Sequence, residues 1–154
     1  MGPRLLIPLV FLQTLLIGSP LGEEIGWRGY ALGRLQRRLG ALAASLVLGA
    51  AWATWHLPPL LDPDDPVSAV PLGVFLLGIL ADAILFTWLF NGTGGSLLLV
   101  VAFHASLSVT GLFLTSPPST HLLGLAIKVL VVAGIVAAAG PATLCRATPR
   151  TRHR

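Results

Sequence analysis

Charged side chains are scarce in this sequence: Asp, Glu, Lys and Arg make up 10% of its 154 residues, whereas 55% are hydrophobic. A soluble domain carries roughly a quarter of its residues as charges to cover its surface. The shortage therefore excludes an ordinary soluble globular domain, and the mean hydropathy of +0.84 leads to the same conclusion. We expect a protein that lies in a lipid bilayer.

Cysteine is nearly absent, because Cys145 is the only one. This excludes an internal disulfide and a metal site built from several thiolates. Acidic residues are also few, and the formal net charge is +4. Such an excess would indicate nucleic-acid binding in a soluble protein, but here the arginines lie between or beyond apolar runs, as in the cytoplasmic flanks of spanning helices. We expect no nucleic-acid partner.

Long apolar runs form the rest of the chain. A hydrocarbon core about 30 Å thick is crossed by about 20 helical residues, and several runs reach this length. We therefore predict an all-α fold, a polytopic transmembrane helical bundle of about five to six helices that forms a single membrane domain over residues 1–154. The apolar runs lie at residues 5–18, 41–61, 70–90, 94–115 and 121–144.

The breaks between these runs predict an orientation. Arginines cluster at 34–38 and again in a basic tail at 146–154, and cytoplasmic flanks are rich in arginine. If the first cluster is cytoplasmic, alternating crossings place the polar loop 58–66 outside, the turn 91–95 inside and the tail inside. The two clusters therefore agree. The high content of alanine, glycine and arginine favours a multi-pass protein of a bacterial plasma membrane.

Three ionisable residues follow the first apolar run. Bilayer interiors penalise such groups by several kcal/mol each, so their presence needs a reason. Glu24 and Arg28 are four residues apart, so they share a helix face and can pair, while Glu23 points about 100° away. The pair fits either an interfacial ion pair or a support for a free acid at Glu23. The breaker triplet at 18–20 predicts a new helix here or a kink in a longer one.

Two histidines lie in later apolar runs. His56 follows Trp52 by four residues, and alone it fits an interfacial residue beside tryptophans at the membrane surface. His104 lies near the middle of its run, where a polar side chain needs a partner, which favours a functional role. Ser108 follows one helical turn later.

Helix geometry brings these residues to one level. Glu23 precedes Arg38 by 15 residues and His56 follows Gly40 by 16, so both lie about 23 Å from the intervening turn if the two helices form an antiparallel hairpin. His104 could approach the same cavity from a third helix. A desolvated carboxylate beside two histidines can act as a base on water, and such a trio could also hold a divalent metal such as zinc.

Three short motifs occur in a fixed order. They are Glu23-Glu24-x-x-x-Arg28, an aromatic-x-x-x-His that ends at His56, and Phe103-His104-x-x-x-Ser108. Together they resemble the motifs of the CPBP family, the intramembrane CAAX-type proteases and bacteriocin-processing enzymes also called the Abi family. The resemblance covers residues 20–112 as a catalytic core. It implies a metalloprotease-class endopeptidase that hydrolyses a peptide bond of a prenylated or hydrophobic membrane-associated peptide or protein.

The resemblance also implies residue roles. Glu23 would activate water with help from His56, and His104 with the residue at 108 would stabilise the oxyanion, while Glu24 and Arg28 would be a supporting pair. The family usually has asparagine where this chain has Ser108, and losing one oxyanion donor costs about a hundredfold or more in rate. It commonly has phenylalanine where this chain has Trp52, which is a milder change.

The sequence is compatible with two kinds of catalytic site, one with a metal and one without. The zinc motif H-E-x-x-H is absent from the sequence, so a divalent metal held by Glu23, His56 and His104 and a metal-free glutamate–histidine site are both compatible with the pattern. The depth estimate places Glu23 and His56 far from the cytoplasmic arginines, whereas CAAX proteases act on cytosolic tails. These two inferences predict openings on opposite sides.

Two other functions compete with a protease. Ser108 favours a non-catalytic bacteriocin self-immunity or scaffold protein with a degenerate site. A proton-coupled carrier would use the glutamates and histidines as a relay, but no inverted repeat supports it. The remaining polar residues receive structural interpretations: Asp82 packs inward or pairs with a neighbouring helix, His121 lies in a loop, and Lys128 extends to the membrane surface.

Overall fold

A computed structural model describes residues 3–113 and 118–145. Helices joined by short turns form the described chain, which confirms the predicted all-α bundle. A 3₁₀ turn, Pro3–Leu6, precedes the first helix, and a π-helical segment, Ile25–Leu32, lies between α2 and α3. The α-helices are α1 (Ile7–Ile17), α2 (Ser19–Glu24), α3 (Gly33–Leu39), α4 (Ala41–Trp55), α5 (Leu57–Leu61), α6 (Leu72–Gly92), α7 (Leu97–Phe113) and α8 (Pro118–Ala139).

The helix that carries the acidic pair is a new one. Gly18 adopts an extended conformation with φ −80° and ψ 171°, and Pro20 lies in the first turn of α2, where its missing N–H removes no helical hydrogen bond. The helix then continues through the π-helical segment into α3. Gly40 ends it with φ +75°, a conformation that glycine adopts without steric cost. The result is an antiparallel hairpin with α4.

Helix α6 lies at the centre of the bundle and packs against α4, α7 and α8. Gly49 permits its close contact with α4, because an added Cβ would lie 2.9 Å from Leu80 Cδ2 and 3.0 Å from the Ala83 Cβ. An apolar cluster of Trp52, Phe86, Val100 and their neighbours fills the space between α4, α6 and α7. This cluster supports the residues of the candidate site.

The segment after α8 closes the bundle on α4. The amide of Ala41 donates to the Ala142 carbonyl at 2.8 Å, and the amide of Leu42 donates to the Pro141 carbonyl at 2.9 Å. These bonds satisfy amide groups at a helix start, which have no partner within their own helix. Asn91, at the end of α6, adds a bond to the Thr143 carbonyl at 2.7 Å.

Within the described part of the chain, two helices are long and apolar enough to cross a bilayer, Leu72–Gly92 and Thr120–Ala139, and every residue of the second is at least partly exposed. The expectation of one polar loop at 58–66 was wrong in detail. Its prolines begin short helices, α5 and a 3₁₀ turn at Pro66–Ala69, because proline is compatible with a first turn. The basic tail at 146–154 and the four residues between α7 and α8, 114–117, lie outside the described residues.

Candidate active site

A buried ion network joins α2, the π-helical segment and α7. Glu24 is fully buried, and Arg28 and His104 are 2% and 7% exposed. Arg28 Nη1 lies 3.1 Å from each carboxylate oxygen of Glu24 and donates to Oε1. His104 Nδ1 lies 2.9 Å from the same Oε1. Glu24 is therefore the common partner of a guanidinium and an imidazole, and the predicted supporting pair contacts the histidine directly.

Aromatic rings surround the Arg28 guanidinium. Its carbon lies 4.6 Å from the centroid of Phe86 and 5.3 Å from that of Trp52. Among the described residues, Nε and Nη2 have no hydrogen-bond partner. The faces of these rings supply the compensating electrostatic attraction, which is strongest where water is excluded. Arg28 is therefore held in place by one carboxylate and two rings.

Glu23 points away from this network and toward α4. Trp52 donates its indole N–H to Glu23 Oε2 at 2.7 Å. The sequence predicted His56 as the residue opposite Glu23, but the structure places Trp52 there, one turn earlier on α4. The π-helical segment contributes to the difference, because a wider helical turn rises less for each residue and shortens the distance between Glu23 and the hairpin turn.

His56 lies at the junction of α4 and α5. Its Nδ1 lies 2.9 Å from the Trp52 carbonyl oxygen, which can only accept, so Nδ1 carries the hydrogen. In the neutral ring Nε2 is then the acceptor. The Trp52 ring lies edge-on to the rings of both histidines, with centroids 5.6 Å from His56 and 5.3 Å from His104. Trp52 is therefore the side chain through which Glu23, His56 and His104 are connected.

Both histidines border one cavity of about 520 Å³. Trp52 and Ser108 also line this cavity, and Glu23 contacts it through its hydrogen bond with Trp52. The Ser108 hydroxyl donates to the His104 carbonyl at 3.1 Å, so it is engaged with its own helix. The structure thus brings two predicted imidazoles and the predicted hydroxyl to one space.

The donor atoms do not form a metal ligand set. Within residues 3–113 and 118–145, no group of three or more His, Cys, Asp or Glu side chains is arranged to hold a metal ion. The structure therefore does not assemble Glu23, His56 and His104 as a set of metal ligands.

Three residues that were given structural interpretations lie in the cavity wall. Lys128 does not extend to the membrane surface, because its Nζ lies 2.6 Å from Asp82 Oδ2. His121 lies in helix α8 and not in a loop. Asp82 pairs with a neighbouring helix, as expected. The wall contains Lys128, His121 and Asp82 beside the catalytic candidates.

Sequence reasoning also missed Trp52 and Phe86 as site residues. The position of Trp52, four residues before His56 on the same face, was an available signal for its contact with the histidine. No local pattern distinguishes Phe86 from the other apolar residues of α6.

Comparison with known proteins identifies the family of this chain. Residues 5–110 match the family model described as type II CAAX prenyl endopeptidase Rce1-like. The chain is 30% identical over 136 residues to CAAX prenyl protease 2 of Methanococcus maripaludis, an alignment that covers 84% of this chain and 49% of that protein. It thus spans about half the length of this curated relative. No solved structure matches the chain.

Proposed function

Because the chain belongs to the type II CAAX prenyl endopeptidase Rce1-like family, a family of membrane-embedded proteases, we propose that it is an intramembrane endopeptidase that hydrolyses a peptide bond of a prenylated or hydrophobic membrane-associated substrate. The observation that carries this proposal is the cavity with two imidazoles whose Nδ1 atoms are engaged. Their Nε2 atoms are therefore the ring nitrogens that would contact water or the substrate carbonyl. We also propose that the protein crosses a bacterial plasma membrane several times.

The two acids have different environments, which supports different roles. Glu24 is fully buried and has two basic partners, so it has no route to water. Glu23 is half-buried, and its one hydrogen bond among the described residues comes from Trp52. A carboxylate with a free oxygen and access to solvent is the better base. We assign water activation to Glu23, assisted by Nε2 of His56.

Hydrolysis then proceeds through a tetrahedral intermediate. The water oxygen bonds to the scissile carbonyl carbon as its proton passes to Glu23 or His56. The carbonyl oxygen becomes an oxyanion, which accepts a hydrogen bond from His104 Nε2–H when that ring is protonated, with Glu24 accepting from Nδ1–H. Collapse breaks the carbon–nitrogen bond, and the leaving amine takes up the proton. No step requires a metal.

Ser108 would be the second oxyanion donor. Its hydroxyl bonds its own helix, so it must rotate to reach an oxyanion. An asparagine at this position would reach further with an N–H donor. We therefore expect Ser108→Asn to increase kcat, and an unchanged kcat would remove position 108 from the oxyanion site.

The experiment uses detergent-purified protein and two fluorogenic peptides, one farnesylated with a C-a-a-X end and one with the same sequence unmodified. We expect the wild type to cleave at least one peptide, and we expect Glu23→Gln to abolish this cleavage without changing the melting temperature. Glu24→Gln should lower both the cleavage rate and the melting temperature, because it disrupts the buried network. Asp64→Asn, the same chemical change in an exposed turn, is the control and should alter neither.

Two outcomes would contradict the proposal. Cleavage by Glu23→Gln at the wild-type rate would remove Glu23 as the base. If the wild type cleaves neither peptide, the result would favour the non-catalytic self-immunity or scaffold role. Ser108, which stands where the family usually has asparagine, supports that role.

A further inference from the structure

An ion pair in the wall of the cavity joins the middle parts of the two helices that are long and apolar enough to cross a bilayer. Asp82 is ten residues from either end of α6, and Lys128 is eight residues from the start and eleven from the end of the span Thr120–Ala139. A charge at the centre of a bilayer is costly and occurs in general where a protein uses it. The hydrolytic mechanism above uses neither residue.

Both partners of this pair line the cavity. The Lys128 side chain is 33% exposed and that of Asp82 is 14% exposed, so the lysine is the more accessible partner. An ammonium group has three N–H donors. Among the described residues, Lys128 donates one hydrogen bond, to Asp82 Oδ2. Asp82 therefore holds Lys128 in position while two donors remain for a ligand.

Space for that ligand lies beside the pair. Gly78 precedes Asp82 by one turn and Gly124 precedes Lys128 by one turn, and both line the cavity. A Cβ at either glycine would meet nothing within 4 Å. The wall is therefore open next to the ammonium, and the rest of it is largely apolar.

The pair is also close to the catalytic histidine. Asp82 lies one turn, about 6 Å, from Phe86 along α6. The Phe86 ring packs against His104 with centroids 5.3 Å apart. A short peptide in the cavity could therefore contact His104 with its scissile carbonyl and the Lys128 ammonium with a group farther along the chain.

We propose that Lys128 binds the C-terminal carboxylate of the substrate peptide. This inference rests on the proposed endopeptidase function, and on the C-terminal position of a C-a-a-X motif, which leaves a free carboxylate a few residues beyond the prenylated cysteine. An ammonium in an apolar wall recognises such a carboxylate by a charge-assisted hydrogen bond. Lys128 thereby selects peptides cut near their C-terminus over internal segments.

The test compares two farnesylated peptides of the same sequence, one ending in a carboxylic acid and one in an amide. For the wild type we expect the acid to have a kcat/KM higher by about tenfold or more, the range of a hydrogen bond between charged groups. In Lys128→Met the ratio should fall to about one, and Lys128→Arg should restore a clear preference for the acid. Arg37→Met removes an exposed charge far from the cavity and should keep the wild-type ratio.

Folding is controlled with the double variant Asp82→Asn/Lys128→Met, which leaves no unpaired buried carboxylate. It should fold as the wild type does and show no preference between the peptides. If the wild type cleaves both peptides equally, or Lys128→Met keeps the preference, the pair serves only to join α6 to α8 and the inference is overturned.

A binding measurement separates this inference from the proposed function. Fluorescence anisotropy of dansylated acid and amide peptides with Glu23→Gln reports affinity without turnover. Tighter binding of the acid that is lost on adding Lys128→Met supports the carboxylate site even if no peptide is cleaved. Equal binding of the two peptides overturns it even if cleavage occurs.

Discussion

Replacing Arg28 with methionine tests the buried network most directly. Methionine retains an unbranched side chain but removes the charge, so Glu24 would keep a fully buried carboxylate whose one remaining partner among the described residues is His104. Breaking a buried ion pair by removing one partner costs about 3–5 kcal/mol. Since a native protein is stable by about 5–15 kcal/mol, this change would remove a large part of the folding free energy.

The expected change in melting temperature follows from this energy. For a chain of this size each kcal/mol shifts the midpoint by about 2–4 °C, so Arg28→Met should lower it by about 6–20 °C. Intrinsic tryptophan fluorescence in detergent measures the transition, because Trp52 lies against the guanidinium. Glu24→Gln/Arg28→Met removes both charges and should recover a large part of the loss.

The exposed arginine Arg37 provides the matched control. Arg37→Met makes the same chemical change at the surface, where substitutions alter stability by about 0.5 kcal/mol at most. A decrease of less than about 3 °C in Arg28→Met, or a double variant no more stable than the single one, would refute the account of Glu24 as a carboxylate held by Arg28.

Three further predictions concern packing, the turn after α6 and metal dependence. Gly49→Ala should destabilise the protein by about 1–3 kcal/mol, because its Cβ would overlap α6. Thermal unfolding measures the loss against the control Gly22→Ala, at a site with open space, and equal unfolding midpoints would contradict the close approach of α4 and α6. Asn91→Ala removes bonds to Gln36 and to the Thr143 carbonyl and should lower stability by about 1–3 kcal/mol, with an unshifted unfolding midpoint counting against it. The protein should still cleave peptides after dialysis against a divalent-metal chelator. If chelation abolishes cleavage and zinc restores it, the result would support the metal site that the family resemblance implies.

Local rules were enough to predict several parts of the fold. The triplet at 18–20 predicted either a new helix or a kink, and the structure has a new helix, with Pro20 in its first turn. Glu24 and Arg28 pair because residues four apart share a helix face. The turns at Gly40 and at 91–95 form where glycines adopt positive φ.

The convergence of the site depends on information that local rules lack. The bond from His104 to Glu24 joins residues 80 positions apart, and the choice between Glu23 and Glu24 depends on how each helix is rotated in the packed bundle. Apolar spacing does not encode the π-helical segment, which places Glu23 opposite Trp52. The partner of Lys128 was missed for a similar reason, since an isolated lysine in an apolar run is compatible with either a surface or a buried position.

The hydrogen bonds between the start of α4 and the segment after α8 have a consequence for biosynthesis. They join residues about 100 positions apart, Ala41 to Ala142 and Leu42 to Pro141. At about 5–20 residues per second, a ribosome needs roughly 5–20 s to make the intervening chain. During that interval the α3–α4 hairpin has been synthesised, but the amides of Ala41 and Leu42 do not yet have their partners. A translocon or chaperone therefore has a defined time in which to shield the start of α4 from premature contacts.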